Sequence, residues 1–136
     1  MPFVVDASVS AAWALQEEDD PLAIAAFERL KSDQAFVPIL WWYELRNCLI
    51  VNERRGRIRP ADTELFLRDL ANIEFNIDTA TDQVPVMSLA RRHRLTFYDA
   101  AYLELAMRLR FPLATLDAAL AAAARAEKVA RLSEAQ

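Results

Sequence analysis

Glycine is almost missing from this chain: Gly56 is the only one in 136 residues. Glycine-rich phosphate loops need several such residues to bring backbone N–H groups against a nucleotide, so neither a Walker-type loop nor a dinucleotide fingerprint can form, and no nucleotide cofactor is expected. Cysteine is equally scarce. Cys48 alone excludes an internal disulfide and a Cys-rich zinc site, and a reducing, cytoplasmic setting follows as the expectation. The single histidine, His93, sits in the run Arg91-Arg92-His93-Arg94 and reads as surface. No apolar run approaches the roughly 18 to 20 residues of a membrane span, since the longest candidate, near Phe36 to Val51, is broken by Glu44, Arg46 and Asn47. The N-terminus enters an apolar segment without a basic lead, so neither a secretory signal nor a membrane association is expected.

What is present fits one domain over residues 1–136, with 54% hydrophobic and 26% charged residues, enough apolar content for a real core. Acids outnumber bases 20 to 16, for a net charge of -4, which argues against holding nucleic acid by bulk charge. The bases are nonetheless unusual. All but Lys31 and Lys128 are arginine, and they crowd at Arg54, Arg55, Arg57 and Arg59 and again at Arg91, Arg92 and Arg94. Guanidinium forks suit phosphate oxygens. Solvated helix ends explain such clusters equally well.

Short apolar runs alternate with helical patterns. Strands are expected at Phe3-Val4-Val5, Ala35-Phe36-Val37, Glu74 to Ile77 and Leu113 to Leu116, with Val129 to Leu132 as a further edge strand. Helices are expected from Ser8 or Ser10 as a cap to Leu15, from Pro21 after the acidic turn Glu17 to Asp20, and from Ile39 to Arg55. Others follow from Pro60, from Asp82 to His93, from Tyr98 to Arg110 and from Ala118 to Lys128. Buried strands separated by helices imply a parallel α/β sheet covered on both faces, with sites beyond the carboxyl ends of the strands. Asp6 and Asp117 fall there.

Most acids read as solvated, but four do not. Asp6 and Asp117 each follow a strand, where helix capping is the bland alternative. Asp99 stands in Thr96-Phe97-Tyr98-Asp99, the spacing of a capping box, yet it heads the face that carries Tyr102, Leu105, Ala106 and Leu109. Glu44 is mid-helix and cannot cap. At about 100° per residue it lies within the apolar arc of Trp41, Leu45, Cys48, Leu49 and Val51, while Arg46, Glu53 and Arg54 lie opposite. A salt bridge to a buried arginine is its structural alternative, because an unpaired buried carboxylate costs several kcal/mol. If the four converge, they repel, and a divalent cation relieves that repulsion. An all-oxygen donor set favours Mg²⁺ or Mn²⁺ over zinc. Ser8 could hold a water near Asp6 unless it caps the helix, and Asn47, one turn after Glu44, could orient that carboxylate.

Four segments taken together resemble the acidic motifs of the PIN domain. They are Val4-Val5-Asp6-Ala7-Ser8, Glu44-Leu45-Arg46-Asn47, Thr96-Phe97-Tyr98-Asp99-Ala100-Ala101-Tyr102 and Leu113-Ala114-Thr115-Leu116-Asp117. Their order and the chain length are similar to the VapC type, the toxin half of bacterial toxin–antitoxin pairs, over about Phe3 to Leu120. The resemblance implies a PIN-like three-layer sandwich with a four- to five-stranded parallel sheet. It implies a Mg²⁺- or Mn²⁺-dependent endoribonuclease in which Asp6, Glu44, Asp99 and Asp117 bind metal and carry catalysis, Asp117 directly or from behind another ligand. Ser8 and Thr115 match the family's hydroxyl positions. A VapB-type antitoxin covering the groove, homodimerisation, and a heterotetramer or larger assembly with that antitoxin are implied as well. The Trp41-Trp42-Tyr43 run is a candidate contact surface, with a place in the core an equal alternative for Trp41. The Arg54, Arg55, Arg57 and Arg59 cluster is the candidate for holding RNA.

Three other readings compete. A phosphohydrolase with Asp6 as nucleophile would want a second Asp where Ser8 stands and a well-placed Lys. A non-catalytic interaction module would use the acids only as caps and salt bridges. A PIN nuclease of RNA maturation, outside toxin–antitoxin systems, would share the same site.

Overall fold

The computed structural model describes residues 1–15 and 20–132; Glu17, Glu18 and Asp19 of the expected acidic turn lie outside them. The described chain runs β1 (Phe3–Val5), α1 (Ala7–Ala14), α2 (Pro21–Arg29), β2 (Ala35–Pro38), α3 (Leu40–Arg54), α4 (Pro60–Leu70), β3 (Phe75–Asp78), α5 (Gln83–His93), α6 (Phe97–Leu109), β4 (Leu113–Ala114) and α7 (Ala118–Ala126). All pairings are parallel and the order is β3-β2-β1-β4, the covered α/β sheet that the alternating pattern implies. The chain steps outward from β1 to β2 to β3 and then returns to the other side of β1. Right-handed crossovers place the helices of the outward steps on one face and those of the return on the other. Accordingly α1 packs on α2, α3 and α4, whereas α6 packs on α5, α7, β1 and β2. The strand order reverses between β1 and β4, so the crevice beyond their carboxyl ends is the topological switch point.

The central strand is buried throughout, with Phe3, Val4 and Val5 at 0% exposure, as a strand covered on both faces must be. Helix α6 is buried continuously from Ala100 to Ala106, which explains its shallow amphipathicity. With one glycine in the chain, α5 and α6 end on Arg94 and Arg110 in the left-handed region, and Lys128 turns the chain in the same conformation after α7, at φ between 56° and 60°. A side chain there costs more than glycine would.

Three local expectations change. Ser8 and Ser10 lie inside α1, and Asp6 caps it through a hydrogen bond from the Val9 N–H. The fourth strand stops at Ala114, because Thr115 onward turns into the crevice. The expected strand at Val129 to Leu132 contracts to one parallel bridge, Leu113 with Arg131. Among the described residues no helix is long and apolar enough to cross a membrane.

Candidate active site

Asp6 leaves β1 at the switch point and is 4% exposed. Its carboxylate accepts three hydrogen bonds. Oδ1 takes the Ser8 hydroxyl at 2.6 Å and the Val9 N–H at 3.0 Å, and Oδ2 takes the Thr115 hydroxyl from across the crevice. Thr115 in turn accepts the Asp117 N–H at 3.0 Å, and Ser8 Oγ accepts the Leu116 N–H at 3.0 Å. The ends of β1 and β4 are thereby stitched together by two hydroxyls. Asp117 caps α7 with Oδ1, on the Leu120 N–H at 2.8 Å. Capping and membership of the crevice are compatible for both aspartates: the cap takes Oδ1 of each, and at Asp6 it leaves Oδ2 to meet Thr115 across the crevice.

Glu44 comes from α3, whose start is anchored beneath the crevice. The Trp41 indole N–H donates to Ser10 Oγ at 2.8 Å, and that hydroxyl donates to the Asp6 carbonyl at 3.0 Å. The Tyr102 hydroxyl donates to Glu44 Oε1 at 2.7 Å. No arginine reaches Glu44, so its structural alternative of a buried salt bridge is absent among the described residues. Asp99 enters from the first turn of α6, with Thr96 as the cap accepting the Asp99 N–H at 3.1 Å.

The electrostatics register convergence. Burial raises the pKa of Asp6 against its three donors, and Asp117 adds repulsion. Burial also raises Glu44, with Asp99 and Asp6 pushing the same way against the Tyr102 hydrogen bond. Asp99 is raised by burial and then by Asp117 and Asp6. Tyr102 is raised by burial and by Glu44 beside it, so it remains a donor. Among the described residues no Arg, Lys or His forms an ion pair with any of the four acids. As the side chains stand, no group of three or more His, Cys, Asp or Glu among those residues is arranged to hold a metal ion. The donor set itself is all oxygen and fits a hard divalent cation; like charges without a counterion hold apart.

The other expected residues divide. Thr115 and Ser8 lie in the crevice. Asn47 is exposed and makes no hydrogen bond to Glu44; Tyr102, on the buried face of α6, takes the orienting position instead. Its signal was a tyrosine one turn after Asp99. The Arg54 to Arg59 cluster is not brought to the acids. Arg54 is ten residues beyond Glu44 along α3, about 15 Å at the helical rise, and Arg59 is engaged with Asp62. Trp41 is core at 3% exposure, while Trp42 and Tyr43 are exposed. His93 is held against Glu127.

The chain is similar to known proteins along most of its length. The PIN domain model matches residues 3–126. Ribonuclease VapC3 of Pyrobaculum aerophilum is 34% identical over 125 residues, which span 89% of this chain and 93% of that protein. The crystal structure of PAE2754 from Pyrobaculum aerophilum superposes with a TM-score of 0.69 at 28% identity, covering 90% of this chain and 84% of that one.

Proposed function

The chain belongs to the PIN-domain family, as a VapC-type member, and from that premise we propose that it is a divalent-metal-dependent endoribonuclease, the toxin of a toxin–antitoxin pair. The observation that carries the reading is that Asp6, Glu44, Asp99 and Asp117 repel one another at the switch point, with no cationic side chain among the described residues paired to them. Asp6, Glu44, Asp99 and Asp117 are the residues that would hold Mg²⁺ or Mn²⁺. Bound there, the cation supplies polarisation of a phosphodiester oxygen and acidification of a water.

The chain's own groups do the rest. Ser8, Val9 and Thr115 fix Asp6 in one orientation, and Tyr102 fixes Glu44. Asp99 or Glu44 takes the proton of the attacking water. In-line displacement leaves a 5′-phosphate and a 3′-hydroxyl, and no protein nucleophile is required. The partner is a VapB-type antitoxin that covers the crevice, with homodimers assembling into a heterotetramer or larger complex in the cytoplasm.

The test is to sequence RNA ends after incubation with Mg²⁺ or Mn²⁺. Wild type yields new 5′-phosphate ends, and Asp6→Asn lowers their rate by more than about a hundredfold, beyond the usual effect of groups behind the ligands. Equal breakage by both proteins removes the nuclease reading and leaves the interaction module.

A further inference from the structure

Thr115 separates two unlike surfaces. On one side it donates to Asp6 in the acidic crevice. On the other it lines a cleft of about 300 Å³ between α7 and the returning chain, together with Ala121, Ala124, Arg125, Lys128 and Arg131. Three cations therefore share one cleft in a protein whose net charge is -4. Among the described residues none of the three makes an ion pair or a side-chain hydrogen bond. The one acid on residues 118–131, Glu127, is committed elsewhere, to Arg92 at 2.7 Å and to His93 on α5. Small side chains at Ala121 and Ala124 leave the floor open.

We propose that this cleft binds the phosphodiester backbone of the RNA, carrying the next few phosphates away from the acidic crevice. The assignment rests on reading that crevice as the seat of the scissile phosphate. The physical need is plain: a pocket of carboxylates repels an anionic strand, so affinity must come from cations beside it. Guanidinium forks and an ammonium that no described carboxylate engages are suited to it. The cleft abuts the crevice through Thr115, whereas the Arg54 to Arg59 cluster lies toward the far end of α3. Continuity with the crevice favours RNA over an acidic peptide.

Anisotropy of a fluorescein-labelled single-stranded RNA, measured against salt with Mg²⁺ present in an Asp6→Asn background, reads the cleft without cleavage. Combining Arg125→Gln, Lys128→Gln and Arg131→Gln should weaken binding at least about tenfold at low salt and flatten the log–log salt slope by about 2. In the otherwise wild-type enzyme the same three changes should raise KM with kcat retained. Lys128→Gly separates folding from binding. Glycine accepts the φ of 60° at this position without a Cβ clash, so the Tm should rise while RNA affinity falls. An unchanged salt slope in the triple variant overturns the proposal. So does an equal triple substitution at Arg54, Arg55 and Arg57 that takes the whole effect, or a cleft that captures polyglutamate while RNA binding ignores it. A cleft-dependent salt slope in a protein that leaves RNA ends uncut would keep the binding site and sink the nuclease reading.

Discussion

Asp6 and Asp78 both stand at the carboxyl end of a strand of the same sheet, yet their surroundings are opposite. Asp78 closes β3 and receives a two-pronged contact from Arg108, at 3.1 and 2.7 Å. Arg108 also holds Glu104, which is 4% exposed, through Nε at 2.7 Å. The arginine keeps Asp78 below the usual carboxylate range. Asp6, Glu44 and Asp99 are instead pushed up, by burial first and by one another next. One pair of acids shares an arginine of the chain; the other acids have no cationic partner among the described residues. A fold that places arginine beside Glu104 and Asp78 brings none of the described arginines to the switch point, and the proposed chemistry of the crevice rests on this difference.

The comparison can be broken in three ways. The largest effect expected is from a cation. Mn²⁺ at a hundredfold its Kd should add about 2.7 kcal/mol to the unfolding free energy, seen as a rise in Tm at pH 7. The sign with pH follows from linkage. Raised native pKa values mean that the unfolded chain loses its protons first, so without metal the crevice acids lower stability progressively as pH climbs above about 4. Asp78, depressed by Arg108, contributes stability above that pH and loses it as pH falls through its lower native value. Thermal unfolding from pH 3 to 8, in EDTA and in Mn²⁺, should show the upper-pH loss only in EDTA. An identical profile in both media would remove the metal assignment.

Next in size is Arg108→Ala, which strands a buried Glu104 and should cost about 2 kcal/mol. That is below the range for fully buried pairs because Arg108 is partly open to water. Urea unfolding checks it, and a cost under about 0.5 kcal/mol would show that pairing contributes little there. The smallest effect distinguishes the clusters by sign. Glu44→Gln keeps an acceptor for Tyr102 and removes one repelling charge, so in EDTA it should stabilise by about 0.5 kcal/mol. Destabilisation would mean that Glu44 is balanced by a cation after all.

Legibility from the sequence followed the range of the interaction. Glu44 was readable as misplaced because helical periodicity alone sets it in an apolar arc. Asp6, Asp99 and Asp117 were readable from their positions after strands or at a helix start. Tyr102 was not readable as the partner of Glu44, since 58 residues separate them and only the tertiary fold brings the hydroxyl to 2.7 Å. Arg54, Arg55, Arg57 and Arg59 drew attention because they fall within six residues, while Arg125, Lys128 and Arg131 are spaced along and beyond an alanine-rich helix and become neighbours only when the chain doubles back at Lys128. The edge strand faded to a bridge because no local pattern reports how long a neighbour β4 can offer.

Local sequence thus determined most of the elements, the caps at Thr96 and Asp117, and the family, because those depend on periodicity and on hydrogen bonds within a few residues. Tertiary structure alone decided which carboxylates share a crevice and which acquire an arginine. Burial and charge–charge energies depend on distances through space, and the sheet's reversal at β1 sets those distances between residues more than a hundred positions apart, as with Asp6 and Thr115.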